Sequence, residues 1–125
     1  MNLTERFLNY TKFDTQSAED ADCVPSTSKQ LLFAEYLKKE LETEGLSDVE
    51  LDEKGYIYAT LKSNIKEKVP TIGFISHYDT SPDCSGADIK AQIVHNYNGA
   101  RYNCRRVSSV VRGNFLSCCT ISVKI

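Results

Sequence analysis

Apolar residues recur at helical spacing at the start of the chain and predict a short helix there. Asn2 is followed three residues later by Glu5, the spacing of a capping box, in which each side chain accepts a hydrogen bond from the other residue's backbone amide. The apolar face of this helix is predicted to comprise Leu3, Phe7, Leu8 and Tyr10.

A second helix is predicted to begin near residues 26–28, after a polar loop at 15–25. Its buried stripe is predicted to comprise Leu31, Ala34, Leu37 and Leu41. Gly45 suits the left-handed position that often follows the last helical turn. Glu35 and Lys39 stand one turn apart, which favours an exposed outer face.

The pattern then changes to that of strands. VELDEKGYIYATL, residues 49–61, predicts two strands around a turn at residues 52–55, because β-prone residues fill its second half. TIGFIS, residues 71–76, is a continuous apolar run typical of a strand that is buried on both faces. Helices combined with a buried strand predict an α/β fold.

Composition is that of an ordinary globular chain. The 125 residues are 41% hydrophobic and 26% charged, and no apolar run is long enough to span a bilayer. The N-terminus lacks the features of a secretory signal, which predicts a cytoplasmic protein with reduced cysteines. The five cysteines are odd in number and form no Cys-x-x-Cys pair, which disfavours a zinc knuckle or a disulfide framework.

A His-x-Asp pair follows the apolar run directly. His77 and Asp79 lie where the chain leaves the carboxyl end of the predicted central strand, the usual ligand-binding edge of an α/β sheet. An imidazole is a common zinc ligand, and a carboxylate beside it can fix its tautomer. A hydrogen-bonded turn without a ligand is the alternative, and Asp83 and Ser85 are predicted to be turn residues between a proline and a glycine.

Several longer stretches carry a family resemblance. They are RFLNYTKFDTQS, VPST, EKGYIYATL and above all GFISHYDTSPDCSG, residues 73–86. From about residue 3 to Gly99 the chain resembles the N-terminal part of the peptidase T family, cytosolic tripeptide aminopeptidases. These belong with the glutamate-type carboxypeptidases and dipeptidases, a zinc-dependent group. The resemblance implies the truncated N-terminal part of a zinc-exopeptidase-like catalytic domain with a mixed sheet.

The resemblance also implies roles for the His-x-Asp pair. In that family the histidine binds one of two zinc ions and the aspartate orients it, so His77 is the implied metal ligand and Asp79 the implied catalytic residue. The family's other metal ligands and its Glu-Glu pair lie later in a far longer chain. His95, the only other histidine, is predicted to be a surface residue and not a ligand. We therefore expect a peptidase segment whose short-peptide substrates are cleaved only by the intact enzyme.

Charge divides the chain into two parts near residue 100. All 17 acidic residues lie at or before Asp88, whereas arginine, cysteine and serine crowd the last part of the chain. FLSCCTISVKI can be encoded so that the same nucleotides, read in another frame, give Phe-Pro-Val-Leu-Leu-His-Tyr-Lys-Cys-Gln-Asp, which is similar to the family's continuation. We expect residues 1–100 to be a partial catalytic domain and residues 101–125 to be an unstructured, frameshift-derived tail.

Two other functions remain open at this stage. The arginines of RYNCRRVSSVVRG, residues 101–113, can neutralise phosphates, but the body is acidic and no nucleic-acid-binding module is recognisable, so no nucleic-acid or membrane partner is expected. The chain can instead be a non-catalytic fragment or an interaction module, because a truncated sheet has unpaired strand edges. The sequence indicates no oligomeric state.

The frameshift interpretation predicts the content of the gene. Read in the shifted frame from near the codon for Gly99 or Ala100, the downstream DNA should encode a long continuation with a Gly-Ala-Asp-Asp-like metal segment. Sequencing this region tests the prediction, and early stop codons in both other frames would refute it.

Overall fold

The elements of the fold are two helices followed by a two-stranded antiparallel hairpin. The computed structural model describes residues 1–91, 93 and 95. Helix α1 spans Leu3–Tyr10 and helix α2 spans Lys29–Thr43. Strand β1 spans Ser47–Leu51 and strand β2 spans Ile57–Thr60. The predicted tail at 101–125 lies outside the described residues.

Helix α1 begins at the predicted capping box. The Glu5 amide donates to Asn2 Oδ1 over 2.9 Å, and the Asn2 amide donates to Glu5 Oε2 over 3.1 Å. The prediction that Leu3 belongs to the apolar face of this helix is wrong, because Leu3 is 73% exposed. Phe7, Leu8 and Tyr10 are half-buried, because α1 packs only its C-terminal part against the rest of the chain.

Helix α2 ends as its sequence predicts. Gly45 has a φ of +84° and its amide donates to the Glu42 carbonyl over 3.1 Å, while the Leu46 amide donates to the Leu41 carbonyl over 3.2 Å. This is a Schellman motif, which uses the left-handed conformation that glycine tolerates best. It turns the chain back toward β1.

The buried face of α2 differs in part from the predicted stripe. Ala34 is buried as predicted, but Leu31, Leu37 and Leu41 are only half-buried. The face is centred instead on Phe33, with Gln30 one turn earlier. Glu35 and Lys39 are exposed, as their one-turn spacing indicates.

The predicted hairpin is present. Leu51 pairs with Ile57, and Asp52 opens the turn by accepting from the Lys54 and Tyr56 amides over 3.0 and 2.8 Å. The register shifts between Ser47 and Glu50, which marks a bulge in β1. One side chain thus organises this turn, as expected of aspartate at its first position.

The prediction of a buried strand at residues 71–76 is wrong for this chain. No residue of TIGFIS is assigned to a strand, and Phe74 and Ile75 are 94% and 101% exposed. A strand needs neighbours that accept and donate its backbone hydrogen bonds. Within the described residues β1 and β2 pair only with each other, so they leave this run without a partner.

The elements are compatible with the predicted α/β class at a coarse level. They supply helices and a small sheet, whereas a mixed sheet also needs parallel pairing. Among the described residues, parallel pairing is limited to an isolated bridge between Gln16 and Thr80. Truncation of a larger catalytic domain stays a prediction. In the same part of the chain, no helix combines the length and the apolar character needed to cross a bilayer.

A cluster of aromatic rings forms the core. Phe33, which is 5% exposed, lies at its centre. Its ring centroid is 5.1 Å from that of Tyr10, 5.0 Å from Phe13, 6.2 Å from Tyr36 and 5.9 Å from Tyr78. The cluster therefore joins α1, the loop that follows α1, α2 and the segment that carries the His-x-Asp pair.

We predict that Phe33→Ala destabilises the chain by about 3–5 kcal/mol, the usual cost of removing a buried aromatic ring. The measurement is urea unfolding followed by circular dichroism, since the chain has no tryptophan. Leu32→Ala is the matched control, because Leu32 is 69% exposed on the same helix and should change stability by about 0.5 kcal/mol or less. Similar losses in the two variants would show that Phe33 does not centre the core.

Candidate functional site

Tyr78 anchors the His-x-Asp segment to the core. Its hydroxyl donates to the Gly55 carbonyl over 2.8 Å, and its ring packs edge-on against Phe33. A Cβ at Gly55 would lie 2.6 Å from that hydroxyl, so the contact requires glycine there. Burial raises the pKa of the Tyr78 phenol, and the charges of Asp79 and Asp52 add to the rise, so the hydroxyl stays a donor near neutral pH.

The residue after the pair is fixed by a second set of hydrogen bonds. The Thr80 amide donates to the Thr15 carbonyl over 3.0 Å, and the Ser17 amide donates to the Thr80 carbonyl over 2.9 Å. Gln16 Nε2 donates to the Pro82 carbonyl over 2.8 Å. The segment thus forms a short parallel bridge with the loop after α1.

Asp14 organises the base of this loop. Its carboxylate accepts from Lys29 Nζ over 2.8 Å and from the Gln16 amide over 3.1 Å. The Lys29 hydrogen bond lowers the pKa of Asp14, and the Gln16 amide lowers it further. The Asp14–Lys29 pair therefore stabilises the fold fully at pH values above the ordinary carboxyl pKa of about 3.9. This contribution is lost as the pH falls through the lower pKa that Asp14 has in the folded chain. A Cβ at Gly86 would lie 2.6 Å from Asp14 Oδ1.

The structure brings His77 and Asp79 together, as their spacing predicts. His77 Nδ1 lies 2.8 Å from Asp79 Oδ1 and 3.1 Å from the Asp79 carbonyl oxygen. Both oxygens are acceptors, so Nδ1–H is the donor. In the neutral ring the lone pair then resides on Nε2. Because Tyr78 points into the core, residues 77 and 79 face outward, and the His77 side chain is 85% exposed.

This arrangement fits one ligand position of a metal site but not a whole site. The outward Nε2, with a carboxylate on the other ring nitrogen, is the usual state of a metal-binding histidine. A catalytic zinc needs about three protein ligands. Within residues 1–91, 93 and 95, no group of three histidine, cysteine or acidic side chains could hold a metal ion. The described residues alone therefore do not form a zinc site.

The neighbouring polar residues have turn roles. Ser81 Oγ donates to Asp83 Oδ2 over 2.6 Å, and the Ala87 amide donates to Ser85 Oγ over 3.2 Å, as expected of turn residues. His95 is exposed in a turn, as predicted.

Sequence reasoning missed the residues that hold the pair in place. Thr15, Gln16 and Tyr78 act through contacts with distant parts of the chain, and spacing along the sequence does not reveal such contacts. A signal was available for Tyr78. It is an aromatic residue between two polar ones, and strand alternation places it on the opposite face.

The chain is similar to curated proteins named peptidase T. It is 58% identical over 98 residues to that of Clostridium botulinum strain Hall, and 57% identical over 98 residues to that of strain Langeland. It is 55% identical over 97 residues to that of Caldanaerobacter subterraneus subsp. tengcongensis. Each match takes in 78% of this chain but spans only 24% of the relative's length. No protein-family model matches the chain.

We predict that neutral His77 is protonated at Nδ1. Nitrogen-detected NMR of the folded chain at about pH 8 should show the Nδ1–H tautomer of the neutral ring. Asp79→Ala should lower the population of that tautomer, because the carboxylate acceptor is removed. His95 is the internal control, since its signals should not respond to the substitution. An unchanged tautomer at His77 in the variant would contradict the assigned hydrogen bond.

Proposed function

We propose that this chain, a segment of the peptidase T family by its identity to the curated relatives, carries part of a metal-dependent aminopeptidase site. In this proposal His77 is a zinc ligand and Asp79 positions it. The 2.8 Å hydrogen bond between His77 Nδ1 and Asp79 Oδ1 is the observation that carries the proposal, because it directs Nε2 outward. The intact relative would act in the cytoplasm on short peptides, removing the N-terminal residue of tripeptides.

The proposal gives each side chain a distinct chemical task. A two-zinc centre, when bound, supplies an activated water and polarises the scissile carbonyl. Asp79 holds the imidazole in one tautomer and raises its basicity by accepting from Nδ1–H. Tyr78 and the Thr80 bridge hold the backbone on which both residues stand. Asp79 is thus a positioning residue, whereas His77 would contact the metal.

The chain by itself is proposed to be inactive. One imidazole and one neighbouring carboxylate cannot hold two metal ions and also supply a general base. The chain spans 24% of the relatives' length, so most of a relative's residues have no counterpart in the match. The enzyme activity therefore belongs to the intact relative in this proposal.

A non-catalytic interaction module is the second candidate function. The exposed apolar run at 71–76 favours it, since such a run on a folded protein often marks a binding surface. The nucleic-acid alternative depends on residues 101–113, which lie outside the described residues.

We predict that substitutions of His77 and of Asp79 have different effects on zinc content and turnover in an intact version of the protein with the reading frame restored. His77→Ala should lose one zinc and nearly all turnover, because it removes a ligand. Asp79→Asn should keep most of the metal, with activity or metal affinity lower by about 10–100-fold, the usual effect of altering a ligand's partner. Zinc content and tripeptide hydrolysis are measured on the same samples.

The 125-residue chain serves as the activity control and should release no N-terminal residue with zinc, cobalt or manganese. Each variant's circular dichroism must match that of the parent, so that misfolding is not taken for loss of a ligand. Equal, mild effects of the two substitutions with both zinc ions retained would support a turn without metal function. Hydrolysis by the short chain, abolished by His77→Ala, would overturn its proposed inactivity.

A further inference from the structure

A single peptide unit connects the His-x-Asp pair to the loop after α1. The Asp79 carbonyl oxygen lies 3.1 Å from His77 Nδ1, and the amide of the next residue, Thr80, donates to the Thr15 carbonyl over 3.0 Å. A trans peptide is planar, and its C=O and N–H groups point in opposite directions. The hydrogen bond to Thr15 therefore directs the Asp79 carbonyl toward the imidazole.

A second peptide unit continues this connection to Asp14. It carries the Thr15 carbonyl on one side and the Gln16 amide on the other, and that amide donates to Asp14 Oδ1 over 3.1 Å. The other carboxylate oxygen, Oδ2, accepts from Lys29 Nζ over 2.8 Å, and this hydrogen bond lowers the pKa of Asp14. The carboxylate is therefore charged near neutral pH, and its charge lies at the end of two peptide units.

The three hydrogen bonds run in one direction. The donors are, in order, His77 Nδ1–H and the amides of Thr80 and Gln16, and we call this arrangement the Asp14–His77 series. Hydrogen bonds in such a series polarise one another, and a bond to an ionised acceptor is about twice as strong as one between neutral groups. A negative charge at Asp14 thus makes the Asp79 carbonyl a better acceptor for Nδ1–H.

Further contacts hold the middle of the series in place. Thr15 is only 4% exposed. The Gln16 carbonyl accepts from Thr27 Oγ1 over 2.8 Å, and Gln16 Nε2 donates to the Pro82 carbonyl over 2.8 Å. The loop is thus fixed both to the residues before α2 and to the segment after the pair, so its peptide units have little freedom to rotate.

We propose that Asp14 is a positioning residue for His77, which it holds in the Nδ1–H tautomer through the Asp14–His77 series. Asp79 supplies a direct acceptor on its side chain, whereas Asp14 acts through the backbone from the far end of the series. The consequence for zinc binding at Nε2 rests on the proposed function, but the series itself requires no metal and no turnover.

The test is the ratio of the Nδ1–H to the Nε2–H tautomer of His77, measured by nitrogen-detected NMR of the metal-free 125-residue chain at about pH 8. Asp14→Asn removes the charge but keeps an oxygen that can accept from the Gln16 amide. We expect this variant to lower the ratio by about twofold or more, because the series then ends in a neutral acceptor. Asp20→Asn is the matched control, since Asp20 is exposed in the same loop, and it should leave the ratio at the parent value.

The same comparison is made in an Asp79→Ala background. The direct carboxylate acceptor is absent there, and the carbonyl of residue 79 remains. The decrease caused by Asp14→Asn should be at least as large as in the parent chain.

Gly86→Ala tests the same point without altering Asp14. A Cβ at Gly86 would lie 2.6 Å from Asp14 Oδ1, the oxygen that accepts from the Gln16 amide, so the carboxylate must move. The displaced atom is at the end of a side chain, so the backbone can stay in place while the tautomer ratio falls. Gly73→Ala is the control, because a Cβ there would meet no atom within 4 Å, and its ratio should match the parent's.

Lys29→Met separates this role from a purely structural one. It removes the ion pair that ties Asp14 to α2 but leaves the carboxylate at the end of the series. We expect the tautomer ratio to stay closer to the parent value than in Asp14→Asn. Equal decreases in these two variants would show that Asp14 only fastens the loop to α2, which would overturn the proposal.

Circular dichroism must show each variant to be folded like the parent. An unchanged ratio in either Asp14→Asn or Gly86→Ala would overturn the proposal, and so would equal decreases in Asp14→Asn and Asp20→Asn. Retention of both zinc ions by the intact version after His77→Ala would instead overturn the proposed function and leave the Asp14–His77 series standing.

Discussion

The packing of aromatic rings around Phe33 is the interaction on which the rest of this structure depends. Its four ring neighbours have centroids 5.0 to 6.2 Å away, and three of them, Tyr10, Phe13 and Tyr78, lie outside helix α2. Each such pair contributes about 0.5–1.5 kcal/mol beyond the burial of its area. Phe33 and Ala34 are the only buried hydrophobic residues in the described part of the chain, so few other apolar contacts can replace these. Loss of the Phe33 ring would therefore loosen α1 and the His-x-Asp segment together.

Polar contacts orient the rings without replacing them. Tyr10 donates to Glu40, and Arg6 forms ion pairs with Glu40 and Glu44, so α1 is tied along one side of α2. Burial and the hydrogen bond to Glu40 raise the pKa of Tyr10, so its hydroxyl remains a donor near neutral pH. The Arg6 and Glu40 side chains are only 27% and 12% exposed, whereas Glu44 is 48% exposed, so the ion pair with Glu44 contributes little by itself.

The sequence predicted the features that depend on neighbouring residues. The Asn2 capping box, the glycine end of α2 and the Asp52 turn each need only a few adjacent residues, and all three are present. The proximity of His77 and Asp79 belongs to the same class, since two residues in extended chain suffice. The prediction of a buried strand at 71–76 is wrong because an apolar run indicates only that a strand there would be stable when buried. The run does not itself provide the neighbouring strands with which it would have to pair. The anchors at Thr15 and Gln16 were missed for a related reason, since about 65 residues of intervening chain separate them from their partners.

The His-x-Asp pair directly follows the uncovered run at 71–76, but it is held in place by contacts of Tyr78 and Thr80 and not by that run. Tyr78 and Thr80 fix the pair through Gly55 and the loop after α1, and neither contact requires residues 71–76 to be paired. The local geometry of His77 and Asp79 can therefore persist while the strand before them lacks a sheet. Catalysis is more demanding, because reacting groups must be held within about 0.5 Å by elements that are themselves rigid. The chain can thus keep the orientation of one imidazole, whereas the proposed aminopeptidase site would also need the run at 71–76 to be held rigidly in a sheet.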